Sequence, residues 1–352
     1  MRWVWSPRHA GHDPEVELEE SRLQPAFEHI GRAEAIRQVL AGAPGFVETP
    51  PTAWGLVPIM AVHDAGLVRF LERAWSQYQE QVGASRHVTP DVFAPDDLWR
   101  GMGPGTEPPV VAAQLGWWAF ETTTPLVAGS YDAARSAVDV ALTAARVVLD
   151  GERFAYGLCR PPGHHATSRR YGGYCFFNNA AIVAHHVATT TGVRVSVLDV
   201  DVHHGNGTQQ IFYERGDVQY VSIHGDPAAT YPFHVGFADE TGAGAGRGAN
   251  LNLPLPVGTG DAAFAAALQR AVEEVDSFDP SFVVVSLGVD TAASDPVGRF
   301  ALTPDAMNAS GAAVASLARP TVVLAEGGYD VGALGDLTHR WLTGLSGAVT
   351  SS

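Results

Sequence analysis

An apolar run over 197–208, Val-Leu-Asp-Val-Asp-Val-His-His-Gly-Asn-Gly-Thr, carries three polar side chains at alternate positions: Asp199, Asp201 and His203. In an extended strand, period two puts all three on one side. Two carboxylates and an imidazole buried side by side cost several kcal/mol unless a cation lies among them. The pattern therefore points to metal ligation at the C-terminal end of a strand. A second apolar run over 282–290 ends the same way, in Asp290. Asp201, His203 and Asp290 then make an Asp2His site with a position open to water. The alternative is that these groups only hydrogen-bond loop amides.

Two more predicted strand ends carry chemistry. Arg160-Pro-Pro-Gly-His-His-Ala166 places His164 and His165 after one of them, and a histidine beside an activated water is a natural general base, since its ordinary pKa lies near operating pH. Asp199 and Asn206 are placed to orient the two rings. At the other, paired glycines in Glu326-Gly-Gly-Tyr329 let Tyr329 swing toward the site, where a phenol could donate to an oxyanion.

From residue 130 onward helical and strand patterns alternate, with Gly, Asp or Asn at the joints, as in a parallel α/β sheet. Strands are predicted over 154–159, 193–199, 218–224, 282–289 and 321–325. Helices are predicted near 177–190, 207–214, 261–277, 304–318 and 331–345, with a further one capped by Ser130 and stopped at Gly151. The strands are nearly unbroken Val/Ile/Leu runs, which suits central strands covered on both faces. The first 130 residues are less regular, with a helical stretch from 61 to 78, a proline-rich loop over 84–110, and acids at Glu15, Glu17, Glu19 and Glu20. No clean boundary divides the chain, so one domain over 1–352 with long loops is the expected organisation.

Composition narrows the function. The 38 acids outnumber 22 bases for a net charge of −16, so a nucleic-acid footprint is not expected. Every base is an arginine, which excludes lysine nucleophiles. The two cysteines, Cys159 and Cys175, form no CxxC pair and cannot build a disulfide scaffold or a cysteine zinc site. No leader or membrane span is evident, and the expectation is a cytoplasmic protein without membrane partners.

In order and spacing, His164-His165, Tyr174-Cys-Phe-Phe-Asn-Asn179, the 199–207 run, Gly288-Val-Asp290 with Asp295-Pro296, and Glu326-Gly-Gly-Tyr329 resemble the zinc-dependent histone deacetylase and acetylpolyamine amidohydrolase superfamily. The resemblance covers nearly the whole chain, and the segments 212–218, 224–227 and 238–246 look most like the bacterial acetylpolyamine amidohydrolases. It implies an arginase/deacetylase-like open parallel sheet flanked by helices. It also implies zinc on Asp201, His203 and Asp290, His165 as general base and then acid, His164 as its electrostatic partner, and Tyr329 as carbonyl polariser. Tyr174, Tyr231 and Gly173 would border a narrow tunnel.

A structural potassium is implied on Asp199, the Ser222 hydroxyl and the carbonyls of Asp201, His203 and Ile223, with a second monovalent site near Phe212, Arg215 and Val218. Glu17 would attract a cationic substrate at the rim, although Ala112 and Thr123 stand where further acids are sought, and the segment 295–300 is closer to class II deacetylases. The implied reaction is removal of acetyl or a similar small acyl group from an acylated amine by a homodimer. Alternatives are a protein-lysine or biosynthetic-intermediate deacetylase, and a catalytically silent acyl-amine-binding module. A dimanganese ureohydrolase fits less well, because Thr-Ala-Ala-Ser follows Asp290 where another acid is needed.

Overall fold

The computed structural model describes residues 1–19, 21–103 and 105–347. Its N-terminal third holds β1 (Arg2–Val4), β2 (Val16–Glu19), β3 (Arg22–Pro25), α1 (Gly31–Gly42), β4 (Val47–Thr49), α2 (Val57–Met60), α3 (Ala65–Gln81) and α4 (Val111–Trp118). The middle runs through α5 (Ser130–Leu149), β5 (Phe154–Gly157), α6 (Asn179–Thr191), β6 (Val195–Asp199), α7 (Asn206–Phe212), β7 (Val218–Gly225) and β8 (Asn250–Leu255). The chain then continues through α8 (Asp261–Phe278), β9 (Phe282–Leu287), α9 (Pro304–Ala315), β10 (Thr321–Ala325) and α10 (Val331–Gly347).

Eight strands form one parallel sheet in the order β4-β1-β5-β10-β9-β6-β7-β8. Period two shares each central strand between two cores. Val195 and Val197 of β6, Phe282 and Val284 of β9, and Val322 and Leu324 of β10 face the layer that contains α5 and α6. Leu198, Val283, Val285 and Val323 face the layer of α1, α8, α9 and α10. Burial on both faces is why these strands read as unbroken apolar runs. Between β5 and β6 the chain crosses β10 and β9. The C-terminal ends of these four neighbours therefore open on one crevice, where such sheets place their chemistry.

The five predicted strands are all present, ending within a few residues of their expected limits. Three strands that pattern did not single out complete the sheet. β1 and β4 have three residues each, too short for a periodicity, and β8 carries Asn250, Asn252 and Pro254, a composition suited only to an edge. Ser130 is not a helix cap: its hydroxyl accepts the Val127 N–H and pairs with His12 Nδ1, tying the N-terminal segment to α5.

That segment is stapled to the sheet by a buried ionic cluster. Glu28 lies between two guanidiniums, 3.0 Å from Arg32 and 2.7 Å from Arg160. Arg32 also donates to the carbonyls of Glu326 and Gly328, and Arg160 to those of His9 and His12. Arg160 follows β5 and Glu326 follows β10, so one carboxylate joins the first thirty residues to two strand ends. Burial alone would raise the Glu28 pKa, but the two arginines outweigh it and hold it below the usual range. Removing one member of a buried pair leaves uncompensated charge and costs about 3–5 kcal/mol. Glu28→Gln should lose stability of that order in chemical denaturation; a loss under about 1 kcal/mol would show that the cluster does not hold the segment.

Candidate metal centre and substrate pocket

Asp201 and His203 sit in the turn after β6 and Asp290 in the turn after β9. One ligand atom from each lies within 4.8 Å of the others, and all three residues are buried. His203 Nδ1 is 3.2 Å from Asp201 Oδ1 and 3.1 Å from Asp290 Oδ2. Backbone amides aim the carboxylates: the His203 and Gly327 N–H groups donate to Asp201, and that of Val202 to Asp290. Burial and the neighbouring Asp201 push the Asp290 pKa up to about 7. Among the described residues neither carboxylate pairs with an arginine; their ionic neighbours are imidazoles. A donor set of two carboxylates and one imidazole, buried and without an arginine partner among the described residues, fits a divalent metal. Gly327 is obligatory here, since a Cβ would stand 2.1 Å from Asp290 Oδ2.

His164 and His165 follow β5, with ring centroids 4.1 Å apart. His164 Nδ1 contacts Asp199 Oδ2 at 3.0 Å, and the Tyr220 hydroxyl donates to the same oxygen. Burial alone would lower the His164 pKa, but Asp199, Asp201 and Glu326 outweigh it and push it up to about 10. His165 Nδ1 lies 2.7 Å from Asn206 Oδ1, which can only accept, so the proton is on Nδ1 and Nε2 keeps its lone pair. Burial, then the His164 and His203 rings, hold His165 well below the usual imidazole range.

Of the three clustered residues, His203 reaches a cavity of about 300 Å³ whose lining also includes His165, Gly173, Tyr174, Tyr231 and Tyr329. Tyr231 packs its ring edge-on to His165 at 4.9 Å. Gly173, at φ +60°, brings the wall against that imidazole, and a Cβ would meet His165 Cδ2 at 2.4 Å. Burial pushes the Tyr329 phenol well above its ordinary pKa, so it remains a donor.

Bracing residues were not legible from the sequence. Glu326, known only as part of a motif, accepts the Gly163 and His164 N–H groups and the Ser286 hydroxyl, fixing the histidine loop to β10 and β9. Asp295 accepts the N–H groups of Tyr329, Asp330, Val297 and Gly298, joining two walls of the pocket. Like Glu326, it stood in the sequence only as part of a motif, Asp295-Pro296, with no sign of this bracing role.

The rim differs from expectation. Glu17 is buried and absent from the cavity lining; it accepts the Tyr174 hydroxyl at 3.0 Å and the Phe27 N–H at 3.2 Å. Burial raises its pKa to about 7. Glu19 and Glu121 reach the lining instead, together with Thr123. Ala112 lies on α4 and is not among the lining residues, and Glu20 lies outside the described residues.

Of the expected potassium ligands, Asp199 and Ser222 are paired across β6 and β7, and Ile223 follows in β7. The Ser222 hydroxyl contacts His224 Nδ1 at 2.8 Å. Near Phe212 and Val218, Arg215 pairs with Asp217, and its N–H donates to the Phe212 carbonyl. Both cysteines are free and buried, and no helix among the described residues is long and apolar enough to cross a membrane.

Comparison with known proteins follows the same lines. The histone deacetylase domain family matches residues 19–345. Acetylpolyamine amidohydrolase 1 of Pseudomonas aeruginosa is 41% identical over 349 residues, 99% of each chain. The acetylpolyamine amidohydrolase of Mycoplana ramosa is 38% identical, covering 99% of this chain and all of its own. The crystal structure of acetylpolyamine aminohydrolase from Burkholderia pseudomallei superposes with a TM-score of 0.90 at 37% identity, over 99% of both chains. With that architecture, this strand-end site and a family match across most of its length, the chain belongs to the histone deacetylase family of hydrolases.

Proposed function

We propose that this protein hydrolyses the amide of an acylated primary amine such as an acetylpolyamine. The observation that carries the reading is the convergence of the Asp201–His203–Asp290 cluster, the free Nε2 of His165 and the Tyr329 hydroxyl on one narrow cavity. The names of the relatives agree with it. Asp201, His203 and Asp290 would hold a zinc ion, which supplies Lewis acidity toward an amide carbonyl and toward water.

His165 takes a proton at Nε2 from the attacking water and returns it to the departing amine. Its other nitrogen is committed to Asn206, so the ring cannot turn to the wrong tautomer. His164, anchored on Asp199, packs beside it and forms the electrostatic partner. The Tyr329 hydroxyl donates to the oxyanion that develops on the carbonyl. Tyr174 and Tyr231 flank the extended alkyl chain of the acylated amine, and Glu17 acts indirectly, by holding the Tyr174 hydroxyl. Recognition of the distal ammonium falls to Glu19 and Glu121 at the mouth.

A structural potassium on Asp199, Ser222 and the carbonyls of Asp201, His203 and Ile223 belongs to the same proposal. The buried Asp201 and His203 carbonyls accept no hydrogen bond among the described residues, and a monovalent cation would satisfy them. A second such ion near Phe212, Arg215 and Val218 would occupy the turn before β7. A homodimer would cover the exposed Val92, Leu98, Met102 and Val110 of the long loop.

Two sets of variants test the reading against acetylputrescine, acetylcadaverine and acetylspermidine. His165→Ala should lower kcat by about 10² or more, and Tyr329→Phe by about 10², with bound metal unchanged; wild-type turnover in either would remove that residue from the mechanism. An ammonium about 6 Å from a carboxylate gains roughly 2–3 kcal/mol at an effective dielectric of 20, before desolvation and screening. Glu19→Gln should therefore lower kcat/KM several-fold for acetylcadaverine, leave neutral N-pentylacetamide unaffected, and lose its effect in high salt. Equal losses on both substrates would show that Glu19 does not read charge.

A further inference from the structure

Two glutamates and one arginine line the cavity: Glu19, Glu121 and Arg299. Glu121 is already engaged, with the Gly173 N–H, the Thr123 N–H and hydroxyl and the Thr124 hydroxyl all donating to it. Glu19 accepts from Gln24. Arg299 has no such commitment: among the described residues its guanidinium makes no hydrogen bond, ion pair or ring contact. Arg299, exposed to solvent, is therefore the one lining arginine, in a cavity whose other lining residues include Glu19, Glu121 and three tyrosines.

The Arg299 backbone is also held in place. Asp295 Oδ1 accepts the Val297 and Gly298 N–H groups, its Oδ2 accepts those of Tyr329 and Asp330, and the Arg299 carbonyl accepts the Gly258 N–H. Its backbone is thereby fixed relative to Tyr329, the residue proposed to contact the scissile amide. An arginine fork so placed is suited to bidentate recognition of a carboxylate. A purely cationic polyamine would set an ammonium beside this uncompensated guanidinium; an α-amino-acid head group supplies an ammonium for the acids and a carboxylate for the arginine.

The geometry points to Arg299 as a specificity-determining residue that selects acylated amines whose free end is an α-amino acid, such as side-chain-acylated lysine, over acylated diamines of the same length. This rests on the amidohydrolase reading above and narrows its substrate class.

N-acetylcadaverine and Nε-acetyl-L-lysine form a matched pair, differing by one carboxylate on the carbon that bears the free ammonium. The wild-type protein should show the higher kcat/KM for acetyl-lysine. Arg299→Met, which keeps the apolar stem and removes the fork, should shift the ratio about tenfold toward acetylcadaverine, and Arg299→Lys should restore part of it. Titration calorimetry with the products, L-lysine and cadaverine, should show the same order and the same shift without requiring turnover. A wild-type preference for acetylcadaverine, or a ratio that Arg299→Met leaves within twofold, would overturn the assignment. Absence of hydrolysis of every acylated amine would overturn the amidohydrolase reading instead; the calorimetric ratio then still decides whether Arg299 reads the carboxylate.

Discussion

Carboxylates gathered at the ends of adjacent parallel strands repel one another unless positive charge lies among them, and the rest of the site follows from that constraint. Asp199, Asp201, Asp290 and Glu326 are all fully or almost fully buried around one crevice. Two unit charges at 4.8 Å, the spread of the three ligand atoms, repel by roughly 3–4 kcal/mol at an effective dielectric of 20. Burial adds to the cost, and it raises Asp290 and Glu326 alike to about 7. The chain offers three compensations. Histidines contact Asp199, Asp201 and Asp290; backbone amides donate to every one of the four acids; and the open face of the cluster fits a divalent cation.

The backbone donors do more than solvate charge. Several link a loop to a strand end other than its own: Glu326 grips the histidine loop, Asp201 grips Gly327, and Asp295 grips Tyr329. The Glu28 cluster extends the same logic outward, fastening the N-terminal segment to the carbonyls of Glu326 and Gly328 through Arg32. Side chains proposed for catalysis are thus held by loops that are themselves held, the arrangement that preorganised electrostatic catalysis needs.

Those features that the sequence displayed plainly are the ones governed by period. Unbroken apolar strands, and acids recurring every second residue at their ends, located Asp201, His203 and Asp290 and the order of the central elements. What stayed hidden depends on register and long-range contact. Glu17, Glu19 and Glu20 form one charge run; Glu17 and Glu19 share a face of β2, and only the contacts of Glu17 with Phe27 and Tyr174 show that it lies behind the wall while Glu19 reaches the lining. Glu121 and Arg299 lie on loops without periodicity. The Glu28–Arg32–Arg160 cluster joins residues more than 130 positions apart through Glu28 and Arg160, beyond the reach of any local pattern.

The central claim is that the Asp201–His203–Asp290 cluster is a metal centre, and its most direct measurement is metal stoichiometry. Protein stripped with chelator, re-equilibrated with zinc, freed of excess and submitted to elemental analysis should hold one tightly bound zinc per chain, and Asp290→Ala should hold almost none while remaining folded. A wild-type chain that binds no zinc, or an Asp290→Ala variant that binds as much as the wild type, would contradict the account.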